Sequence, residues 1–151
     1  MGESPRIGQF DAVRFLDAAG KEIDMKIDHI AIFVKDLEAS KAFYQKYFAA
    51  SANGGYYNPK SGLRTYFLSF DGGARIEIMH RPDVAENSGR ALSTGYAHMS
   101  FCVGSKSAVD ALIEKLQSDG VSIAGFPRTT GDGYYEACVF DPDGNQVEIV
   151  A

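Results

Sequence analysis

Apolar residues alternate with polar ones in two similar stretches of the chain, 27–34 and 96–103. Because successive side chains of a strand point to opposite faces, each stretch predicts a β-strand with one apolar face. The other face of the first strand carries His29, and the other face of the second carries His98. The apolar faces consist of Ile30, Ile32 and Val34 in the first strand and of Met99, Phe101 and Val103 in the second. The recurrence indicates a duplicated module.

Each of these strands is followed by apolar residues at helical spacing. Asp36 is a favourable N-cap for a helix that runs to about Ala49, and Ser105 is one for a second helix that Gly120 ends. Further strands are predicted at 56–58, 63–70 and 74–80 in the first module and at 121–124, 134–140 and 146–150 in the second, with a loop at 127–133. The order strand–helix–strand–strand–strand in both modules predicts an α+β fold, with the helices on one face of the sheet.

The domain is expected to span residues 25–151, with modules at about 25–81 and 95–151. Residues 1–24 stand outside the repeat as an N-terminal extension. Residues 82–94 are polar and contain Gly and Ser, which is the composition of a linker.

Four polar residues lie on the strand faces that point away from the predicted helix layer. They are His29 and Glu77 in the first module and His98 and Glu148 in the second. A single His or Glu on an open sheet face is ordinarily a solvated residue, but the recurrence at equivalent positions favours a common role. Two imidazoles and two carboxylates suit a divalent first-row metal with free coordination positions, and one of the carboxylates could act as a general base. His80 has no counterpart in the second module, and we interpret it as structural or exposed.

The composition is that of an ordinary soluble domain and narrows the possible partners. The net charge of −5 does not favour a nucleic-acid partner. No apolar run approaches the roughly 20 residues that span a bilayer, and the N-terminus lacks a signal-peptide pattern. Cys102 and Cys138 fall in predicted strands, where we expect reduced, buried thiols. These features favour the cytoplasm.

Residues 25–150 resemble the vicinal oxygen chelate superfamily, which includes glyoxalase I, bleomycin-resistance proteins, methylmalonyl-CoA epimerase and extradiol dioxygenases. The resemblance rests on the motifs IDHIAIFVKDLEASKAFYQKYF, YFLSFDGGARIEIM, YAHMSFCV and VFDPDGNQVEIV. It implies two βαβββ modules that form a half-open barrel around one divalent metal, with the helices outside. The metal is expected to be Ni or Zn, with Co, Mn or Fe as alternatives.

The ligand positions of the family fall at His29, Glu77, His98 and Glu148. Glu at the second position makes the chain most similar to glyoxalase I (lactoylglutathione lyase). The resemblance therefore implies a metal-dependent lyase or isomerase that acts on a hemithioacetal, or a similar α-oxygenated substrate, through a metal-bound enediolate. Glu148 would be the catalytic base and Glu77 its pseudo-symmetric partner. A homodimer is expected, with the site within one chain or shared between two.

Two positions depart from the glyoxalase I pattern. Phe33 stands where that enzyme carries an Arg for the glutathione carboxylate, and Arg81 stands where it carries an Asn. Another thiol is therefore an open alternative to glutathione. Candidate substrate contacts are Phe33, Arg81, Arg128, Tyr134 and Tyr135.

Two other functions remain open for a chain with this resemblance. One is a different metalloenzyme on the same scaffold, such as an epimerase, a thiol transferase or a dioxygenase. The other is a metal-free protein that binds a drug or metabolite in the cleft, as bleomycin-resistance proteins do.

Overall fold

The structure is a computed structural model and describes residues 27–85, 96–131 and 133–151. The predicted N-terminal extension and most of the predicted linker lie outside the described residues. The elements, in chain order, are β1 (His29–Phe33), α1 (Leu37–Phe48), β2 (Ser51–Ala52), β3 (Tyr56–Asn58), β4 (Leu63–Ser69), β5 (Arg75–His80), β6 (His98–Cys102), α2 (Lys106–Ser118), β7 (Ile123–Thr129), β8 (Tyr135–Phe140) and β9 (Gln146–Val150).

The two modules have the same sheet topology. In the first sheet the strand order is β1-β5-β4-β2, and in the second it is β6-β9-β8-β7. The first strand of each module runs parallel to the last, and the remaining pairs are antiparallel. The short strands β2 and β3 both pair with β4, so together they take the place that β7 takes beside β8. The α+β class and the two-module plan are confirmed.

Most strands differ from their predicted limits by one or two residues and β2 was not predicted, but β7 extends well beyond its predicted end. We expected a short strand at 121–124 and a loop from 127 to 133, but β7 continues to Thr129 and includes Pro127. Proline cannot donate to a ladder hydrogen bond and is tolerated at edges and bulges. β7 ends the order of its sheet, and its pairing with β8 shifts register on both sides of Gly125. These irregularities accommodate Pro127 within a strand.

The helices pack on the strand faces that the alternation predicts. The Asp36 carboxylate accepts hydrogen bonds from two backbone N–H groups in the first turn of α1, and the Ser105 hydroxyl accepts one from the backbone N–H of Ala108 in α2. The buried strand residues are the apolar ones between the predicted site residues, including Ile76, Ile78, Val147 and Ile149. Burial of these side chains is the main favourable contribution to folding. No helix in the described part of the chain is long and apolar enough to cross a membrane.

Helix α1 also joins module one to module two. The ring of Phe48 lies 4.4 Å from that of Phe101, a residue on the helix-facing side of β6. The Tyr44 hydroxyl donates to Asp141 at 2.9 Å, and the Ser40 hydroxyl donates to Asp143 at 2.9 Å. The helix-facing sides of both sheets therefore share one core, and the sides that carry the predicted metal ligands face away from it.

Candidate functional site

Module one forms a half-site of one imidazole and one carboxylate. His29 begins β1, and Glu77 lies on the neighbouring strand β5, where it pairs with Ala31. Their nearest atoms, His29 Nε2 and Glu77 Oε2, are 3.9 Å apart. The other ring nitrogen, Nδ1, lies 2.8 Å from Asp28 Oδ2. In a neutral imidazole, donation from Nδ1 to this carboxylate selects the tautomer whose Nε2 is free to bind a metal.

Asp28 is itself held by a second partner. Arg75 Nη2 donates to Asp28 Oδ2 at 2.5 Å. The hydrogen bond with His29 and then the one with Arg75 lower the pKa of the Asp28 carboxyl below its ordinary value. The ring of Phe67 stands edge-on to His29, with the ring centroids 5.2 Å apart, and the Arg75 guanidinium lies over the same ring at 4.4 Å. These contacts fix the orientation of the His29 ring.

Module two repeats the half-site with different neighbours. His98 Nε2 lies 3.4 Å from Glu148 Oε2. The Ser100 hydroxyl donates to the other carboxylate oxygen, Glu148 Oε1, at 2.7 Å. Cys138 pairs with Glu148 from the next strand, and burial followed by the nearby carboxylates of Glu148 and Glu136 raises the pKa of its thiol. The thiol of Cys138 is therefore held in its neutral form.

The two half-sites belong to different sheets. In the part of the chain that the structure describes, no group of three or more His, Cys, Asp or Glu side chains is arranged to hold a metal ion. Within that part, β1 and β6 each stand at the end of their sheet's strand order. The donor atoms suit a divalent first-row metal, since both half-sites offer an imidazole nitrogen and a carboxylate oxygen. A four-donor set needs the two edges to meet.

The candidate substrate contacts fall into two groups. Phe33 is 46% exposed on the open face of β1, and Tyr134 is 59% exposed where the chain enters β8. Arg128 donates to Glu136 at 3.1 Å across β7 and β8. Arg81 is likewise bonded to Asp83 by two of its nitrogens. Phe33 and Tyr134 can therefore contact a molecule at the open faces, whereas the guanidinium groups of Arg128 and Arg81 each already have a carboxylate partner.

Tyr135 lies on the helix side of β8. Its hydroxyl donates to Asp110 on α2 at 2.6 Å, and this bond raises the pKa of the tyrosine. Lys106 of α2 lies over its ring at 5.2 Å. The geometry separates Tyr135 from the half-site of its own module, because successive residues of a strand point to opposite faces. Tyr134 and Tyr135 thus do not line one cleft together.

The two cysteines are free but differ from the prediction in burial. Cys102 is exposed and Cys138 is half-buried, so the expectation of two buried thiols was wrong. Both share the open face of their sheet with Ser100 and Glu148, as the alternation from His98 onward requires. His80 is half-buried and its Nδ1 lies 3.2 Å from the Val34 carbonyl oxygen, consistent with a structural role.

Sequence reasoning assigned no role to two of the residues that contact the predicted ligands, Asp28 and Ser100. Both could have been found. Asp28 directly precedes His29, and Ser100 follows His98 by two positions, which places it on the same face of the strand.

Comparisons with known proteins agree with this architecture. Residues 26–149 match the family model of the Glyoxalase/Bleomycin resistance protein/Dioxygenase superfamily. The uncharacterized protein YwkD of Bacillus subtilis is 31% identical over 123 residues, which are 82% of this chain and 94% of that protein.

Solved structures show the same fold at lower identity. A glyoxalase family protein from Enterococcus faecalis superposes with a TM-score of 0.70 at 23% identity over 83% of this chain and 97% of that one. Glyoxalase I from Zea mays gives 0.69 at 22% identity over 83% of this chain, which spans only 44% of the maize chain. The duplicated βαβββ plan and the match over nearly all described residues lead to one conclusion: this chain belongs to the glyoxalase/bleomycin resistance protein/dioxygenase superfamily.

Proposed function

We propose that the protein is a metal-dependent lyase or isomerase of glyoxalase I type. The observation that carries this proposal is the pair of half-sites, in each of which an imidazole Nε2 faces a carboxylate on the open side of a sheet. His29, Glu77, His98 and Glu148 would together hold one divalent ion, Ni or Zn foremost. When bound, such an ion would supply Lewis-acid chemistry that makes a C–H bond beside a substrate oxygen more acidic.

We further propose that each complete site uses two chains. The helix-facing sides of both sheets of one chain share a core, which turns their open faces away from each other. Among the described residues, β1 and β6 each end a sheet, and a second copy can add its strands there because the edge of a sheet offers unpaired backbone groups. Pairing β1 of one chain with β6 of its partner would bring His29 next to the partner's His98 in a homodimer.

The chain's own side chains account for the proton movement in such a reaction. For a hemithioacetal, the proton on the carbon that bears sulfur goes to a glutamate carboxylate. The electron pair of that C–H bond forms a double bond to the neighbouring carbonyl carbon, and the π pair of the carbonyl group moves onto its oxygen. The glutamate then returns the proton to the neighbouring carbon, and the hydroxyl proton moves to the other oxygen. The product is a thioester isomeric with the substrate, so no oxidant or reductant is needed.

The surroundings of the half-sites favour a thiol that is less anionic than glutathione. Phe33 shares the open face with His29 and pairs with Met79, so this end of module one presents an apolar surface. Arg128 on module two is already paired with Glu136. Together with the exposed ring of Tyr134, these residues suit a substrate with an apolar substituent.

The first test is a turnover assay with purified, metal-loaded protein, methylglyoxal and a set of thiols. We expect thioester formation with at least one thiol and its loss in Glu148→Gln. Glu114→Gln is the matched control, because Glu114 lies exposed on α2. Absence of turnover with every thiol and metal would contradict the lyase proposal. Activity only with an acyl-CoA, or only with iron and oxygen, would select a different metalloenzyme of the superfamily.

A second test asks whether the site is shared between chains. His29→Ala and His98→Ala chains are each expected to be inactive. In a mixed dimer with shared sites, one site combines both damaged modules and the other combines both intact ones. Unfolding and refolding the two variants together should therefore restore about a quarter of wild-type activity, because about half of the dimers are mixed and each has one intact site. No restoration would place the complete site within one chain.

A metal-free binding protein is the second candidate function. It is favoured by the observation that one chain, within its described residues, does not group three metal ligands. That function predicts that the purified dimer binds no Zn or Ni in a competition titration, and it predicts unchanged ligand binding in Glu148→Gln.

A further inference from the structure

In each half-site one of the two predicted ligands is held by a neighbouring side chain. In module one Asp28 holds the histidine, with 2.8 Å between Asp28 Oδ2 and His29 Nδ1. In module two Ser100 holds the glutamate, with 2.7 Å between Ser100 Oγ and Glu148 Oε1. The arrangement is thus reversed between the modules.

Alanine occupies both equivalent positions in the opposite module. Ala97 precedes His98 as Asp28 precedes His29. Ala31 pairs with Glu77 in the register in which Ser100 pairs with Glu148. An alanine side chain can neither donate to a carboxylate nor accept from an imidazole. The duplicated strands therefore differ at the two positions that determine which ligand is held.

The hydrogen bond from Ser100 has a geometric consequence for Glu148. It engages Oε1 and leaves Oε2 directed at His98 Nε2, 3.4 Å away. Rotation of the carboxylate would break this bond, so Glu148 presents one defined oxygen to a metal. A hydrogen bond to an ionised acceptor is among the stronger ones in proteins.

Glu77 lacks a comparable restraint. Its cross-strand neighbours are Ala31 and Phe67, neither of which has a hydrogen-bond donor in its side chain. Among the described residues its carboxylate makes no hydrogen bond, and His29 Nε2 lies 3.9 Å from its Oε2. The Glu77 side chain is free to change its torsion angles without the loss of a hydrogen bond.

We propose that the two glutamates have different tasks. Glu148, like His29, is a fixed metal ligand, and Glu77 is the carboxylate that takes the substrate proton and returns it. Asp28 and Ser100 are then positioning residues. The assignment rests on the proposed metal-dependent isomerase function. It reverses the roles that the family resemblance suggests for the two glutamates.

The first experiment measures the Zn²⁺ dissociation constant of the dimer by competition with a chromophoric chelator. We expect Ser100→Ala to weaken Zn²⁺ binding about 10- to 100-fold, which is typical for loss of a residue that orients a ligand. Ser100→Thr keeps the hydroxyl and should restore the affinity. Ala31→Ser is the matched variant in module one, because it adds a hydrogen-bond donor beside Glu77. We expect Zn²⁺ binding to be unchanged or tighter, and kcat to be about tenfold lower because the Glu77 carboxylate is restrained.

The second experiment compares Glu77→Gln with Glu148→Gln. We expect Glu77→Gln to lower kcat roughly 100- to 10,000-fold, the range of general acid–base catalysis, with Zn²⁺ affinity reduced less than in Glu148→Gln. Thermal unfolding of the metal-free variants checks that their folds are intact.

The results distinguish failure of the proposed metal-dependent function from failure of the roles assigned to Glu77 and Glu148. A wild-type dimer that binds no Zn²⁺ overturns the proposed function and this assignment with it. A wild-type dimer that binds Zn²⁺ with the same affinity as Ser100→Ala overturns only the assignment. So does a Glu148→Gln variant that keeps its metal better than Glu77→Gln.

Discussion

The hydroxyl of Tyr44 links the two modules, and its removal tests how strongly helix α1 holds module two. The side chain is fully buried and donates to Asp141 Oδ2 at 2.9 Å. Asp141 is 5% exposed and accepts three further hydrogen bonds, from the backbone N–H of Asp143 and from the backbone and side-chain amides of Asn145. Tyr44→Phe removes one donor and leaves the packing of the ring in place.

The size of the effect follows from these partners. A hydrogen bond to a charged group contributes about 1.5–3 kcal/mol. Because Asp141 keeps three donors, we expect the lower end, a loss of about 1.5 kcal/mol in the free energy of unfolding. For a chain of this size that corresponds to a Tm lower by roughly 3–6 °C. Urea denaturation followed by circular dichroism measures the loss.

Tyr47→Phe is the matched control one helical turn later. The Tyr47 hydroxyl also donates to a carboxylate, Asp119 at 2.8 Å, but this carboxylate is on the surface and has lysine partners. We expect a loss of at most about 0.5 kcal/mol there. Equal losses in the two variants would refute the reasoning, because burial would then not decide the strength of the bond.

A pH series adds a second readout. Burial and the nearby Asp141 carboxylate raise the pKa of Tyr44 above its ordinary value. As the pH rises above about 10, the unfolded chain releases the tyrosine proton before the folded one does, so the stabilisation by Tyr44 is lost in that range. The difference between wild type and Tyr44→Phe should therefore shrink between pH 10 and pH 11.

Three further substitutions have defined outcomes. A hydrogen bond from Lys115 is the main cause that holds the pKa of Asp119 well below its ordinary value. Asp119→Asn should therefore lower the free energy of unfolding, measured in urea at pH 7, and this loss should become smaller as the pH falls below about 4. Gly55→Ala should lower the free energy of unfolding, measured by urea denaturation, by roughly 1–3 kcal/mol more than Gly72→Ala. Both glycines have positive φ, but a Cβ at Gly55 would lie 2.7 Å from the ring of Tyr66, whereas a Cβ at Gly72 would meet no atom within 4 Å. Phe33→Arg should raise kcat/KM for the glutathione hemithioacetal up to about fivefold, the worth of an exposed ion pair, and an unchanged value would show that this position does not contact the thiol.

The faces of the strands could be predicted from the sequence, and the relation between the modules could not. Alternation with period two fixes which side of β5 carries Glu77, because Ile76 and Ile78 must be buried. The same alternation separates Tyr134 from Tyr135. Whether the open faces of one chain meet depends on the contacts of α1 with the turn at Asp141, between residues far apart in sequence. No local pattern encodes such a contact.

The limits of β7 were also beyond a local prediction. Pro127 ordinarily indicates a loop, and it is only the edge position and the register shifts beside Gly125 that allow a strand there. The position of a strand within a sheet is a property of the whole fold.

The link between α1 and the turn of module two also couples the two sites of the proposed dimer. Asp143 accepts hydrogen bonds from the backbone N–H of Lys35, directly after β1, and from Ser40 at the start of α1. In that dimer each chain would be a stiff connection between one site, which contains its His29, and the other site, which contains its His98. The first metal ion to bind would draw one pair of strand edges together and, through both chains, align the second pair. Metal uptake by such a dimer is expected to be cooperative, with the second ion bound more tightly than the first.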